Sequence, residues 1–116
     1  MMNRSKKLTV RFYESASGRQ PVRDWLFGLS AEDRRTVGYD VQTVEFGWPV
    51  GMPTCRPLGG GLWEVRSNLG DGTIGRIIFC IVNGEMALLH GFIKKTQKTP
   101  PRDIEIAERR RKEIEQ

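Results

Sequence analysis

The feature that most restricts this chain is a succession of three strand-like runs in its second half, two of them joined by Asn83-Gly84. Asn-Gly between apolar runs favours a two-residue turn in which both residues tolerate positive φ. Thr73–Val82 and Glu85–Lys95 are therefore predicted to fold back on each other as a hairpin. Leu62–Arg66 comes before them, joined through Asn68, Gly70, Asp71 and Gly72. Connections this short make antiparallel neighbours, because a parallel return needs a crossover of a dozen residues or more. Each run carries basic residues: Arg66 in the first, Arg76 in the second, and Lys94-Lys95 in the third, which leads on to Lys98.

The rest of the chain supplies the partners for such a sheet. Leu8–Tyr13 is rich in β-formers and reads as an additional strand, followed by a polar turn at Ser15–Gly18. A helix is expected from Pro21, with Val22, Trp25, Leu26 and Leu29 on one stripe. Ser30 followed by Asp33 suits the start of a second helix, along which Val37, Val41 and Val44 repeat at helical spacing. Gly38 costs that helix roughly 1 kcal/mol relative to alanine. Gly47-Trp48-Pro49 ends it, and Val50–Gly61, with its prolines and glycine triplet, reads as loop. After Thr99-Pro100-Pro101, Arg102–Glu115 is a charged helix with Ile104, Ala107 and Ile114 as its buried contacts. Its Arg109-Arg110-Arg111-Lys112 run lies among Glu105, Glu108, Glu113 and Glu115, the pattern of a solvated face with i,i+4 pairs. The expectation is one α+β domain over residues 1–116, in the order β-α-α-β-β-β-α. An antiparallel sheet carries the two-helix hairpin on one face, and a C-terminal helix completes the fold.

A chain of 116 residues can bury about two-thirds of its unfolded surface in one core. It has no apolar run approaching the roughly 20 residues of a membrane helix. The basic N-terminus lacks the apolar segment of a signal peptide, so the expected location is the cytoplasm, with no membrane partner. Cys55 and Cys80 have no metal-binding spacing, and two lone cysteines in a cytosolic chain are expected to be reduced packing residues. The net charge of +5 is unevenly placed: Arg56 to Arg102 holds seven basic and three acidic residues. A sheet so charged raises the local concentration of phosphate-bearing partners, although a net +5 alone is ordinary solubility charge.

Three pieces carry a family likeness: Gly60-Gly61-Leu62-Trp63-Glu64-Val65-Arg66, then Arg76, then the long run Leu88-Leu89-His90-Gly91-Phe92-Ile93-Lys94-Lys95-Thr96-Gln97-Lys98-Thr99-Pro100. With the order of elements, they make residues 8 to 110 resemble the RelE/ParE toxin superfamily, most closely its phage-derived HigB-like branch. That resemblance implies a RelE-like fold and the toxin of a type II toxin–antitoxin pair. It further implies an endoribonuclease that needs no metal or cofactor and cuts mRNA on the ribosome. The implied partner is an antitoxin, often a small helix-turn-helix protein.

Metal-free RNA cleavage requires a ribose 2′-hydroxyl to lose its proton and attack the adjacent phosphorus, while the leaving 5′-oxygen gains a proton. Arginine suits the growing phosphoryl charge, because its planar guanidinium grips phosphate bidentately and stays protonated. Arg66 and Arg76 lie on adjacent strands and form a clamp if they share a face; the alternative is two surface arginines paired with Glu64 and Asp71. Arg76→Ala is then expected to abolish growth inhibition without unfolding the domain. Lys94 shares parity with His90 and Phe92, and Lys95 with Gly91 and Ile93, so only one lysine joins the clamp directly. Either serves as a base with a lowered pKa or simply holds the backbone. Lys98, Arg56 and Arg102 are assigned to holding RNA. His90, the only histidine, suits proton transfer, but a histidine inside an apolar strand is more often a hydrogen-bonded core residue.

Several positions depart from the family. RelE-type members carry lysines where this chain has Leu62 and Glu64, and a tyrosine near the last helix where it has Thr99-Pro100-Pro101. The histidine-rich set of the founding HigB toxins is also missing. Two other functions stay open: a non-catalytic ParE-like inhibitor of gyrase, and a plain nucleic-acid-binding module.

Overall fold

The computed structural model describes residues 5–94 and 98–115. Its elements follow as β1 (Thr9–Phe12), α1 (Pro21–Phe27), α2 (Ala31–Gly47), β2 (Cys55–Gly59), β3 (Leu62–Asn68), β4 (Ile74–Val82), β5 (Glu85–Lys94) and α3 (Pro101–Ile114). The class is α+β, as expected. Asn83 and Gly84 both take positive φ, 52° and 76°, and close the β4–β5 hairpin with Val82 opposite Glu85. Ser30 caps α2, its hydroxyl accepting from the Asp33 N–H at 3.1 Å. Nothing crowds Gly38, and the helix runs through it for 17 residues.

Two features correct the expected order. Cys55–Gly59, inside the segment read as loop, is a strand that pairs antiparallel with β3. Its Pro57 lacks a donor and is tolerated because β2 lies at the sheet's edge, with a register shift between Pro57 and Gly59. The sheet, ordered β1-β5-β4-β3-β2, is also not wholly antiparallel: β1 pairs parallel with β5, from Thr9 opposite Glu85 to Phe12 opposite Leu88. Everything between β1 and β5, including both helices of the hairpin, forms the long connection such a pairing requires.

The α1–α2 hairpin covers one face. Val22, Val37, Val41 and Val44 pack there with Val65, Ile77, Phe79, Met86 and Leu88. Gly91 sets how closely α1 approaches β5, because a Cβ at that position would lie 2.6 Å from Trp25 Cε3. Glu45, near the end of α2, ties the helix to the first strand. Its carboxylate accepts from the Val10 N–H at 3.1 Å, and its carbonyl accepts from Lys7 and Leu8.

The other face holds Tyr13, Leu62, Ile78, Cys80, Ala87 and Leu89, packed with Ala107 of α3 and flanked by Ile104 and Ile114. These are the α3 contacts the sequence predicted. The arginine run of α3 is not simply solvated, however. Arg110 donates to the Leu89 carbonyl at 2.8 Å and lies over the Tyr13 ring, while Arg111 donates to the Gly60 carbonyl and pairs with Glu108. A helix with so little apolar surface is held on the sheet partly by these charge-assisted bonds.

The α3 side of β5 would break parity without a bulge. Ile78 pairs with His90 but Phe79 pairs with Leu88, which leaves Leu89 as the extra residue. Ala87, Leu89 and Phe92 can then all belong to the α3 cluster. Cys55 and Cys80 belong to clusters on opposite sides of the sheet and are free thiols. No helix among the described residues is long and apolar enough to cross a membrane.

Candidate functional site

Residues directly opposite each other in neighbouring strands share a face, as do alternate residues along one strand. Arg66 faces Arg76 across β3–β4, Arg56 faces Glu64 across β2–β3, and Glu64 and Arg66 are two apart. Three arginines and one carboxylate are thereby brought to the α3 side of the sheet. Like charges placed opposite each other are unfavourable. Glu64, fully buried, offsets them: its Oε1 lies 3.8 Å from Arg66 Nε. The other carboxylate oxygen accepts from the Thr99 hydroxyl at 2.5 Å, which secures the chain beyond β5 to the same centre.

Arg76 has no exposed surface, whereas Arg66 keeps 10% of its side chain exposed. Burial draws the Arg76 guanidinium below its ordinary pKa; Glu64 opposes that shift, and Arg66 and Arg56 add to it. An arginine nevertheless stays protonated in such a setting. The shared face predicted for Arg66 and Arg76 is present, but Arg76 forms its floor. Arg76→Ala, expected from the sequence to leave the fold intact, would remove a fully buried member of this charge cluster and so carries a cost in stability.

The second part of the site lies at the start of α3. Asp103, in the first turn where the helix dipole favours an acid, meets His90 Nε2 at 2.7 Å. The imidazole stacks on Phe92 with ring centres 5.3 Å apart. Burial lowers the His90 pKa, and the hydrogen bond and charge of Asp103 only partly restore it. A neutral ring that gives its Nε2 proton to Asp103 keeps a lone pair on Nδ1. Phe92, on which the imidazole stacks, pairs with Arg76 across β4–β5, so the two parts adjoin.

Among the other residues predicted from sequence, Arg102 is exposed beside Asp103, and its charge also depresses the His90 pKa. Lys94 is exposed at the end of β5 opposite Ile74, in register with the clamp face. Lys98 is exposed next to Thr99. Lys95 lies outside the described residues. Thr99 and Asp103 were not foreseen, and Glu64 was expected only as a surface partner of the two arginines. The apolar neighbours Trp63 and Val65 hinted that Glu64 sits in a paired strand, but nothing in the spacing links Asp103 to His90. Beyond Arg66 the face opens into a cavity of about 300 Å³ lined by Asp40, Pro53, Thr54, Arg66, Asn68 and Ile74. Among the described residues no group of three His, Cys, Asp or Glu side chains is placed to hold a metal ion.

No curated protein matches the chain. A family model described as "Phage derived protein Gp49-like (DUF891)" matches residues 24–112, from α1 into α3, and so takes in β2 to β5 and the His90–Asp103 pair. The chain therefore belongs to the phage-derived Gp49-like family, within the RelE/HigB-like toxins.

Proposed function

We propose that this protein is the toxin of a type II toxin–antitoxin pair and cleaves mRNA on the ribosome without a metal or cofactor. The observation that carries the proposal is the meeting, on one sheet face, of the Arg56–Arg66–Arg76 cluster with the His90–Asp103 pair. In this scheme Arg66 and Arg56 hold the scissile phosphate, and buried Arg76 adds positive charge behind them. His90 Nδ1 takes the proton from the 2′-hydroxyl as its oxygen bonds to phosphorus, and Asp103 stabilises the resulting imidazolium. The P–O5′ bond breaks, and the 5′-oxygen gains a proton from Lys94 or water. The products are a 2′,3′-cyclic phosphate and a 5′-hydroxyl. Arg102 and Lys98 hold the flanking backbone, and an antitoxin with a helix-turn-helix domain is the expected silencing partner in the cytoplasm.

Purified chain added to ribosomes translating a defined mRNA should yield cuts inside codons, with cyclic phosphate ends and no sensitivity to EDTA. Intact mRNA under these conditions would rule the nuclease out. A second possibility is favoured by one observation: Arg76 is buried and His90 is largely covered, as suits binding rather than proton transfer. A gyrase inhibitor would produce a DNA-damage response on induction, with mRNA left whole.

A further inference from the structure

We propose that the cavity beside Arg66 is a nucleobase pocket that selects guanine. Its volume, about 300 Å³, lies at the lower end of the range for pockets that take small ligands. Pro53 and Ile74 supply apolar walls for a flat ring, and Asp40, Thr54, Asn68 and Arg66 supply polar groups. One wall is fixed to the sheet, because the Arg66 N–H donates to the Thr54 carbonyl at 2.8 Å.

The carboxylate identifies the occupant. Asp40 comes from α2, on the opposite layer from α3, and its charge disfavours a phosphate inside the cavity. An acceptor pair there suits a base edge carrying two adjacent donors. Guanine alone offers this, as N1–H beside the N2 amino group. Adenine and cytosine place a ring acceptor beside the amino group, and uracil flanks its single N–H with two carbonyls. Guanine's opposite edge, O6 and N7, is an acceptor pair suited to arginine, with Asn68 and Thr54 able to supplement the contact. Because Arg66 belongs both to this cavity and to the arginine cluster, the base bound here would adjoin the phosphate held by the cluster. Guanine recognition stands on the cavity itself, whereas its position next to the cut rests on the nuclease proposed above.

Titration of the isotope-labelled chain with 3′-GMP, 3′-AMP, 3′-CMP and 3′-UMP separates the two. The guanine nucleotide should bind at least about tenfold more tightly and shift the amide signals of Asp40, Thr54 and Asn68. Asp40→Asn should reduce that preference about 10- to 100-fold, the range of one good bidentate base contact. Asp40 is half-buried on α2, and a thermal melt would verify that the variant folds. In RNA-cleavage profiles the same variant should lose the excess of cuts next to guanine. Equal binding of all four nucleotides, or an unchanged guanine preference in Asp40→Asn, would overturn the pocket. Guanine binding without RNA cleavage would overturn the nuclease and leave the pocket standing. Cleavage without guanine binding would do the reverse.

Discussion

Arg76 and Arg66 face each other in one pair of strands, yet their removal should fail in different ways. Arg76→Ala takes a fully buried guanidinium out of the cluster around Glu64, and removing one member of a buried charge group typically costs about 3–5 kcal/mol. Urea denaturation should show that loss as a lower midpoint. Arg66→Ala, at the partly exposed end, also breaks a contact with Glu64, and should cost less stability than Arg76→Ala while losing RNA cleavage. An Arg66→Ala protein that still cuts RNA at the wild-type rate would remove Arg66 from the phosphate site. His90 carries a pH signature. Its folded pKa is depressed, so the unfolded chain binds the proton first, near its ordinary value of about 6.5. The stability from a neutral His90 is complete above that value and declines as pH falls through the lower folded one. Comparing melting temperatures between pH 7.5 and pH 5 should give a shallower decline for His90→Gln than for wild type. Sequence placed these basic residues correctly on one sheet, because alternation and short turns determine which side chains share a face. It could not supply their depth, since burial depends on how α3 and the segment around Thr99 close over them.

At the level of elements, local chemistry was legible wherever a single residue type decides the outcome. Ser30 caps α2, and Asn83-Gly84 turns the hairpin. β2 was hidden because Pro57 and its glycines resemble loop residues, and only an edge position makes them acceptable in a strand. The bulge at Leu89 left no mark in the sequence, although it brings Ala87, Leu89 and Phe92 into one cluster and accompanies the meeting of His90 with Asp103. Gly91, by contrast, has a definite steric task. Gly91→Ala would drive a methyl group into the Trp25 ring, and overpacking of this kind costs about 1–3 kcal/mol. A lower melting temperature with altered tryptophan fluorescence would check it. The arginines of α3 looked like surface charge because their acceptors, the carbonyls of Leu89 and Gly60, lie far away in sequence.

Across the whole molecule, the central sheet separates two apolar layers, each with one cysteine. Burial pushes both thiols up to about 11, so neither forms appreciable thiolate at neutral pH. Native protein at pH 8 should leave a thiol-reactive dye nearly unchanged, and two equivalents should react once guanidinium unfolds it. The layering also bears on the margins of the sheet. One margin is β2, where Pro57 removes a donor and the register shifts; the other is β1, only four residues long, with Arg11 in its exposed alternation. Neither offers the long, regular row of free amides and carbonyls on which a foreign strand could zip. The chain is thereby guarded against ribbon-like self-association, and a protein that binds it has to grip a face or a helix rather than extend the sheet.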